Sequence, residues 1–158
     1  MFAIIAAVGQ KGEMGKDGDL VFHIKEDMRF FKETTWGHKV LMGRKTFWSL
    51  PGALKGRENY VLTSRPKELP EGVIPVTDLA ALIEKYRDSE EVVFVIGGAS
   101  VYGALLPYAK TIYLTEIEAS VPADTFFPKF DQTGYHKSII KKGEEHGLKY
   151  TFVKYTKK

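Results

Sequence analysis

Residues 92–106 read VVFVIGGASVYGALL and predict the unit from which the fold is built, a buried strand followed by a turn and a helix. The β-branched and aromatic run at 92–96 is too short for a buried helix and is typical of a central strand that is covered on both faces. The glycines at 97–98 then predict a tight turn, and residues 99–106 predict a helix that ends at Pro107. A strand that leads directly into a helix is characteristic of an α/β sheet.

Strands and helices alternate over the rest of the chain as well. The apolar run at 2–8 predicts a second central strand, and residues 135–141 and 148–155, joined across 143–147, predict an antiparallel hairpin. The other predicted strands are 39–42, 59–63, 73–76 and 111–117, and the other predicted helices are 24–35, 44–50 and 79–86. The sequence therefore predicts a single three-layer α/β domain over residues 1–158, with about eight strands in a mostly parallel central sheet, an antiparallel C-terminal edge and four flanking helices.

Composition and charge exclude several classes of protein. The chain has 158 residues, 44% of them hydrophobic and 27% charged, which is the composition of one globular domain. The net charge of +3 is too small for a nucleic-acid binder, and the absence of cysteine excludes disulfides and cysteine nucleophiles. The four histidines have no metal-ligand spacing, so we expect no metal. Without a membrane-length apolar run or a basic leader, we expect a cytoplasmic protein with no membrane partner.

The segment at 9–20 carries four glycines among charged residues and predicts a long mobile loop of the kind that acts as a lid. It superficially resembles a phosphate-binding P-loop, which would indicate a phosphoryl-transfer enzyme. The spacing argues against this reading: five residues separate Gly9 from Gly15 where four are required, and Asp17 stands where a serine or threonine must reach magnesium. Phosphoryl transfer remains the first alternative, and a nucleotide-binding module without catalysis is the second.

Polar residues follow several of the predicted strands. In open α/β sheets ligands bind beyond the carboxyl ends of the strands. Residues 43–46 (Gly-Arg-Lys-Thr), 63–65 (Thr-Ser-Arg) and 97–100 (Gly-Gly-Ala-Ser) offer cations, hydroxyls and helix-start amides there. Such a set suits a nucleotide, and the cations suit a terminal phosphate such as the 2′-phosphate of NADP. The alternative for these cations is that they are ordinary solvated surface charges.

Asp27 is the sharpest single indication of chemistry. Helical spacing places it on one face with Ile24, Met28 and Phe31, so that an acid lies on an apolar side of its helix. Burial of a carboxylate is costly and raises its pKa, so such a group is paired, bound to a ligand or kept as a proton donor. The alternative is an acid placed near a helix N-terminus by the helix dipole. Arg57, just before a strand, is of the type that clamps a carboxylate.

Several of these segments, in order and over the whole length, resemble the dihydrofolate reductase family of bacterial chromosomal type. The segments that carry the resemblance are Ile4-Ile5-Ala6-Ala7, Glu26-Asp27-Met28, Phe31-Lys32, Met42-Gly43-Arg44-Lys45-Thr46, Gly56-Arg57, Ile96-Gly97-Gly98, Val101-Tyr102, Tyr113-Leu114-Thr115 and Asp124-Thr125. The resemblance implies that NADPH transfers a hydride to C6 of 7,8-dihydrofolate while N5 gains a proton, giving 5,6,7,8-tetrahydrofolate. It further implies a monomer, and the alternative is a related NADPH-dependent pterin or pyrimidine reductase of the same fold.

The resemblance also assigns residues. Asp27 would be the catalytic group and would favour protonation of N5 through a water, while the glycine loop would close over the nicotinamide. The substrate-binding residues would be Ile5, Asp27, Met28, Phe31, Leu50, Leu54, Arg57, Ile96, Tyr102 and Thr115. The cofactor-binding residues would be Ala7, Met14, Gly15, Asp19, Leu20, Gly43, Arg44, Lys45, Thr46, Thr63, Ser64, Arg65, Gly97, Gly98, Ala99, Ser100, Val101 and Tyr102. Family members place a cis peptide at the position of Gly97-Gly98.

The chain departs from the family pattern at the end of the glycine loop. The family commonly has Pro-Trp where this chain has Val21-Phe22, and a further proline just inside the following helix. The indole N–H, which in relatives helps to fix a water near the acid, is therefore missing. We expect an altered pH dependence or slower proton delivery, and not a different reaction.

Overall fold

An eight-stranded mixed sheet forms the centre of the computed structural model, which describes residues 1–158. The strands of the chain are β1 (Phe2–Val8), β2 (Glu13–Lys16), β3 (Asp19–Leu20), β4 (Lys39–Gly43), β5 (Glu58–Leu62), β6 (Val73–Val76), β7 (Val93–Gly97), β8 (Ala109–Ile117), β9 (Thr125–Phe126), β10 (Tyr135–Glu145) and β11 (Leu148–Lys157). The central sheet has the order β10-β11-β8-β1-β7-β4-β5-β6. The pairs from β8 to β6 are parallel, whereas β11 pairs antiparallel with both β8 and β10. The predicted sheet and its antiparallel edge are confirmed.

Four α-helices cover the two faces of this sheet, as predicted. They are α1 (Lys25–Thr35), α2 (Arg44–Ser49), α3 (Leu79–Tyr86) and α4 (Ala99–Leu105). Because successive strand residues point to opposite faces, Ile4 joins a core cluster with side chains of α3 and α4, while Ile5 joins a second cluster with side chains of α1 and α2. This arrangement is the three-layer domain. None of the four helices combines the length and the apolar character that crossing a membrane requires.

The glycine-rich segment after β1, predicted as a long mobile loop, contains two short strands. It forms a small three-stranded sheet in which β2 pairs antiparallel with β3 and with β9. The N–H of Asp17 donates a hydrogen bond to Asp124 Oδ2 at 2.9 Å, between residues that are 107 positions apart. The prediction missed the β2–β3 hairpin, although its turn, Asp17-Gly18 (φ 53° and 82°), is a local hairpin signal in the sequence. It missed the pairing with β9 because that strand is distant in sequence and leaves no local pattern. A P-loop is also excluded, since β1 leads into a strand and not into a helix.

The C-terminal hairpin is longer than predicted and turns at a different place. Its strands continue to Glu145 and begin again at Leu148, so that His146 (φ 50°) and Gly147 (φ 82°) form a two-residue turn with left-handed backbone. Gly143 lies inside β10 and not in the turn. A Cβ atom there would lie 2.6 Å from the ring of Tyr150, which is 3% exposed, so close packing favours glycine at this position.

Candidate active site

Asp27 lies in the first turn of α1, and its carboxyl group contacts β8. Thr115 Oγ1, which is buried in the centre of β8, donates a hydrogen bond to Asp27 Oδ1 at 2.5 Å. Burial raises the pKa of Asp27 above its ordinary value, and the Thr115 hydrogen bond opposes that rise because it stabilises the carboxylate. Asp27 therefore retains a proton to a higher pH than an exposed aspartate does. No protein group donates to the second carboxyl oxygen, Oδ2, which is not fully buried and can contact a ligand.

Apolar side chains, here called the apolar wall, cluster on the face of the sheet that α1, the helix of Asp27, covers. Ile5 of β1 is buried, and four of the predicted substrate-binding side chains pack against the same core cluster while remaining partly exposed. These four are Phe31, Leu50, Leu54 and Ile96. The structure thus brings together residues that are far apart in sequence. They come from β1, α1, the segment that follows α2, and β7.

Met28 does not lie on the inward face of α1, contrary to the sequence-based prediction. Its side chain is 63% exposed. The buried face passes through Phe30, whose ring stacks on Phe152 of β11 with centroids 4.6 Å apart. The prediction was wrong because helical spacing does not show which face of α1 the rest of the protein covers. The C-terminal hairpin covers the face that carries Phe30, and Met28 lies outside that face. Met28 lies beside the acid at the open edge of the helix.

Tyr102 of α4 connects this pocket to the other half of the site. Its hydroxyl donates a hydrogen bond to the Ile5 carbonyl oxygen at 2.8 Å. Burial first, and then the negative charge of Asp27, raise the pKa of Tyr102 well above its ordinary value. The phenol therefore stays neutral and serves as a fixed donor between α4 and β1.

Arg57 lies at the opposite end of the apolar wall. Its Nε donates to the Lys55 carbonyl at 2.9 Å and its Nη1 donates to Thr35 Oγ1 at 3.2 Å, while the guanidinium carbon lies 5.5 Å from the centre of the Trp36 ring. Partial burial lowers the pKa of Arg57, yet no carboxylate of the chain pairs with it. Nη2 is left without a protein acceptor. A positioned cation without an internal partner is suited to an external anion.

Asn59 fixes the turn that presents Arg57, and sequence reasoning missed it. This buried side chain accepts from the Leu54 N–H and donates to the carbonyl oxygens of Leu54 and Arg57, each at 2.9 Å. From the sequence alone, a buried asparagine near the start of a strand looks the same as a solvent-exposed asparagine.

On the far side of Tyr102, two glycine-containing turns meet. Gly43, at the end of β4, packs so closely on α4 that a Cβ atom would lie 3.2 Å from Val101 Cγ2. A Cβ atom on Gly97 would lie 3.4 Å from Thr46 Oγ1, and the Gly97-Gly98 peptide is cis, as the resemblance implied. The predicted glycines at the ends of β4 and β7 therefore lie close together. We call Gly43, Gly97, Gly98 and Thr46 the glycine cradle.

Beyond this cradle lie the predicted cations. Because β4 and β5 are parallel neighbours with Gly43 opposite Leu62, the residues that follow them meet at one edge. Arg44 and Arg65 both contact Glu68, while Lys45 and Ser64 are exposed. Thr63 is buried, and its Oγ1 accepts from the Arg65 N–H at 2.9 Å, so it shapes the turn.

The predicted residues of the glycine-rich segment have different surroundings. Met14 is buried in the main core cluster, and Gly15 pairs with Leu20 and Thr125. Asp19 and Leu20 are exposed at the tip, whereas Ala7 of β1 is half-buried beside Thr115. Ala99 is partly exposed and Ser100 exposed at the start of α4.

Glu13 of β2 is a fully buried acid that sequence reasoning did not single out. Its carboxylate accepts hydrogen bonds from Ser120 Oγ (2.7 Å), the Val121 N–H (2.9 Å) and the Lys11 N–H (2.6 Å). Burial alone raises the pKa of Glu13, but these hydrogen bonds outweigh it and lower the pKa to about 2. Glu13 therefore anchors the glycine-rich segment as a permanent anion.

Glu26, next to the acid of the pocket, was also missed. It accepts hydrogen bonds from Lys141 Nζ and from Tyr150 Oη, each at 2.6 Å, and both donors lower its pKa. The neighbouring Lys25 N–H donates to Glu145 Oε2 at 3.0 Å. The hairpin thus fixes the N-terminus of α1, which carries Asp27, through contacts with partners more than a hundred residues away.

The fold and the arrangement of these residues suit an enzyme that holds a small organic substrate beside a nucleotide. Its apolar half contains one proton-retaining acid and one free cation, and its polar half contains a glycine cradle and paired arginines. Tyr102 lies between the two halves.

Comparisons with known proteins identify the family. The sequence model of the family described as dihydrofolate reductase matches residues 1–157. The dihydrofolate reductase of Bacillus subtilis (strain 168) is 37% identical over 161 residues, which covers 100% of this chain and 95% of that protein. The dihydrofolate reductase HdrB of Haloferax volcanii is 39% identical over 140 residues, covering 83% of this chain and 72% of that protein. The dihydrofolate reductase of Enterococcus faecalis, solved in complex with NADP(H) and RAB-propyl, superposes with a TM-score of 0.89 at 30% identity over 99% of this chain and 96% of that one.

The chain belongs to the dihydrofolate reductase family, whose members reduce dihydrofolate with NADPH. The family, the α/β fold, the oxidoreductase class and the NADPH coenzyme predicted from the sequence are confirmed at this level.

Proposed function

We propose that this chain reduces 7,8-dihydrofolate by hydride transfer to C6 and proton transfer to N5, with Asp27 as the residue that governs the proton. The observation that carries the proposal is the Asp27–Thr115 pair, because it places one proton-retaining carboxyl group in an otherwise apolar wall. A pterin ring presents an amino group and ring nitrogens that a carboxylate recognises through two oxygens.

The remaining substrate contacts follow from the pocket's chemistry. Ile5, Phe31, Leu50, Leu54 and Ile96 offer the apolar surface that an aromatic ring system requires. Met28 is available at the open rim. Arg57 is supported by Thr35 and Trp36, and would bind the carboxylate at the tail of the substrate through its free Nη2.

The polar half fits a coenzyme that carries phosphates. A side chain at Gly43 would crowd Val101, Gly97 has a backbone conformation (φ 135°) that side chains rarely adopt, and Thr46 Oγ1 lies beside Gly97 and Gly98. Arg44, Lys45, Ser64 and Arg65 supply donors for a terminal phosphate. When bound there, NADPH supplies the hydride. Ala7, Ala99, Ser100, Val101, Tyr102 and the residues Met14, Gly15, Asp19 and Leu20 would complete the coenzyme site, with Thr63 shaping the adjacent turn.

The chain's own contribution to the reaction is placement and proton supply. The cradle and the apolar wall orient the two reactants, which is the larger part of the acceleration that a hydride transfer needs. Asp27 retains a proton near the reacting ring because its site disfavours the carboxylate, and a water can pass that proton to N5. The addition of one hydride to C6 and one proton to N5 reduces the C6–N5 double bond and leaves oxidised NADP.

The test is dihydrofolate-dependent oxidation of NADPH by the wild type, by Asp27→Asn and by a matched control, Glu33→Gln, which removes an exposed acid from the same helix. We expect Asp27→Asn to lose about 10²- to 10⁴-fold in turnover at pH 7, to recover in part in mild acid where the substrate protonates from solvent, and to retain NADPH binding. Glu33→Gln should match the wild type. An Asp27→Asn variant with wild-type turnover at pH 7 would contradict the proposal. A wild type that binds NADPH and leaves dihydrofolate unreduced would point to another pterin or a pyrimidine.

A further inference from the structure

Glu68 occupies a notable position between the two arginines of the polar half. Its Oε2 lies 3.2 Å from Arg44 Nη2 and its Oε1 lies 3.4 Å from Arg65 Nη1. The two oxygens of one carboxylate thus each contact a different guanidinium, as the oxygens of a bound phosphate would. Sequence reasoning counted the two arginines as free cations and did not include this acid.

The backbone places Glu68 near both arginines. Arg44 begins α2 after β4, and Arg65 follows β5, so both start from the carboxyl ends of adjacent parallel strands. The chain then turns back through a short 3-10 helix at Pro66–Glu68, where the Glu68 N–H donates to the Arg65 carbonyl at 3.1 Å. The short helix therefore places the backbone of Glu68 beside both arginines, within reach of its carboxylate.

We propose that Glu68 is an internal competitor for the coenzyme's terminal phosphate and weakens the selectivity of this chain for NADPH over NADH. The inference rests on the proposed function in assigning this edge to the 2′-phosphate. A phosphate that binds Arg44 and Arg65 must displace the Glu68 carboxylate and then lies beside its negative charge. NADH has a hydroxyl at that position and does not meet this competition.

The expected size of the effect follows from exposure. The side chains of Arg44, Arg65 and Glu68 are 45%, 66% and 44% exposed, so water and salt screen their contacts. Exposed ion pairs of this kind shift an equilibrium only a few-fold. Glu68→Gln should therefore tighten NADPH binding by roughly three- to fivefold, with the gain shrinking as salt increases.

The experiment measures dissociation constants by calorimetry for the wild type, Glu68→Gln and a matched control, Glu71→Gln, which removes the same charge at an exposed position without an arginine contact. The probes are NADPH and NADH, together with adenosine 2′,5′-bisphosphate and adenosine 5′-monophosphate, which isolate the adenosine end. We expect Glu68→Gln to bind NADPH and the bisphosphate more tightly, to bind NADH and the monophosphate within about twofold of the wild type, and Glu71→Gln to change neither.

Three results would overturn the inference: no gain for the bisphosphate in Glu68→Gln, an equal gain for both members of each pair, or the same gain in Glu71→Gln. Failure of the proposed function has a different signature. In that case the wild type itself would show no preference for NADPH over NADH and no dihydrofolate-dependent turnover. Melting curves of the three proteins establish that each variant is folded when its affinity is measured.

Discussion

Two acids of the same domain, the buried Glu13 and the partly buried Asp27, have opposite pKa shifts. Glu13 accepts three hydrogen bonds, two of them from backbone N–H groups, and its pKa falls to about 2. Asp27 accepts one, from Thr115, and its pKa rises. Burial opposes ionisation in both, so the number of donors decides the sign. A fully satisfied carboxylate is a structural anion, whereas an under-satisfied one is available for proton chemistry.

The opposite pKa shifts of Glu13 and Asp27 correspond to two roles, one structural and one functional. Glu13 ties β2 to residues 120–121 and stabilises the small sheet that borders the site. Asp27 lowers the stability of the fold at neutral pH because its site disfavours the charge. A domain can tolerate such a cost where the group has a function.

The largest expected effect on this comparison is the loss of stability in Glu13→Gln. The amide keeps one acceptor but removes the charge, and it turns an NH₂ group toward backbone donors, so we expect a loss of about 1–3 kcal/mol in the free energy of unfolding at pH 7. The loss should disappear in acid. A pKa of about 2 in the folded state, against an ordinary 4.5, means that the stabilisation is complete above 4.5 and is lost as pH falls toward 2. Urea unfolding of wild type and variant between pH 7 and pH 2.5 measures this. A difference that stays constant with pH would show that charge is not the cause.

Asp27→Asn should change stability in the opposite direction. The raised pKa of Asp27 means that the folded state gains from its proton below the ordinary 3.8, and that this gain is lost as pH rises through the folded-state pKa. Asparagine removes the buried charge and can still accept from Thr115, so unfolding at pH 7 should cost about 0.5–1 kcal/mol more than in the wild type. Thermal melts at pH 7 measure the change, with Glu33→Gln as the control. A destabilised Asp27→Asn would contradict the assignment of Asp27 as the under-satisfied acid.

Thr115→Val sharpens the comparison by removing the single donor. Loss of a hydrogen bond to the carboxylate should raise the pKa of Asp27 further. The fall of turnover with increasing pH should therefore move to higher pH, with a change of about two- to tenfold in rate on that limb, the equivalent of one hydrogen bond. The pH dependence of steady-state turnover for wild type and Thr115→Val measures it. A shift toward lower pH would mean that the hydroxyl favours the protonated acid.

The smallest expected effect concerns Phe22, which is 9% exposed and packs with Ile24, Ile117 and Phe152. Phe22→Trp introduces the indole N–H that the family pattern has at this position, and we expect a modest change in the pH–rate profile with the reaction unchanged. Parallel pH–rate profiles of the two proteins measure it. Identical profiles would mean that proton delivery in this chain does not depend on that donor.

Local sequence pattern was sufficient for most of the fold and for part of the site. The β-branched run at 92–96 and the glycines after it predicted a strand and turn that the structure has within one residue. Helical spacing correctly predicted that Asp27 faces the protein. It was wrong for Met28, which is exposed, because the C-terminal hairpin packs on the face of α1 that carries Phe30. In the glycine-rich segment, the Asp17-Gly18 turn of the β2–β3 hairpin was readable from the sequence and was overlooked. The third strand could not be predicted, since β9 lies near residue 125.

The sequence by itself determined the alternation of strands and helices, the inward-facing acid Asp27 and the membership of the dihydrofolate reductase family. Each of these depends only on residue types and on their spacing along the chain. Only the tertiary structure decided which charged groups are free. Arg57 has no carboxylate partner, Glu13 is fully hydrogen-bonded, and Glu68 lies between Arg44 and Arg65. Charge and hydrogen-bond satisfaction depend on atoms that the fold brings together across the chain, and sequence distance carries no information about them.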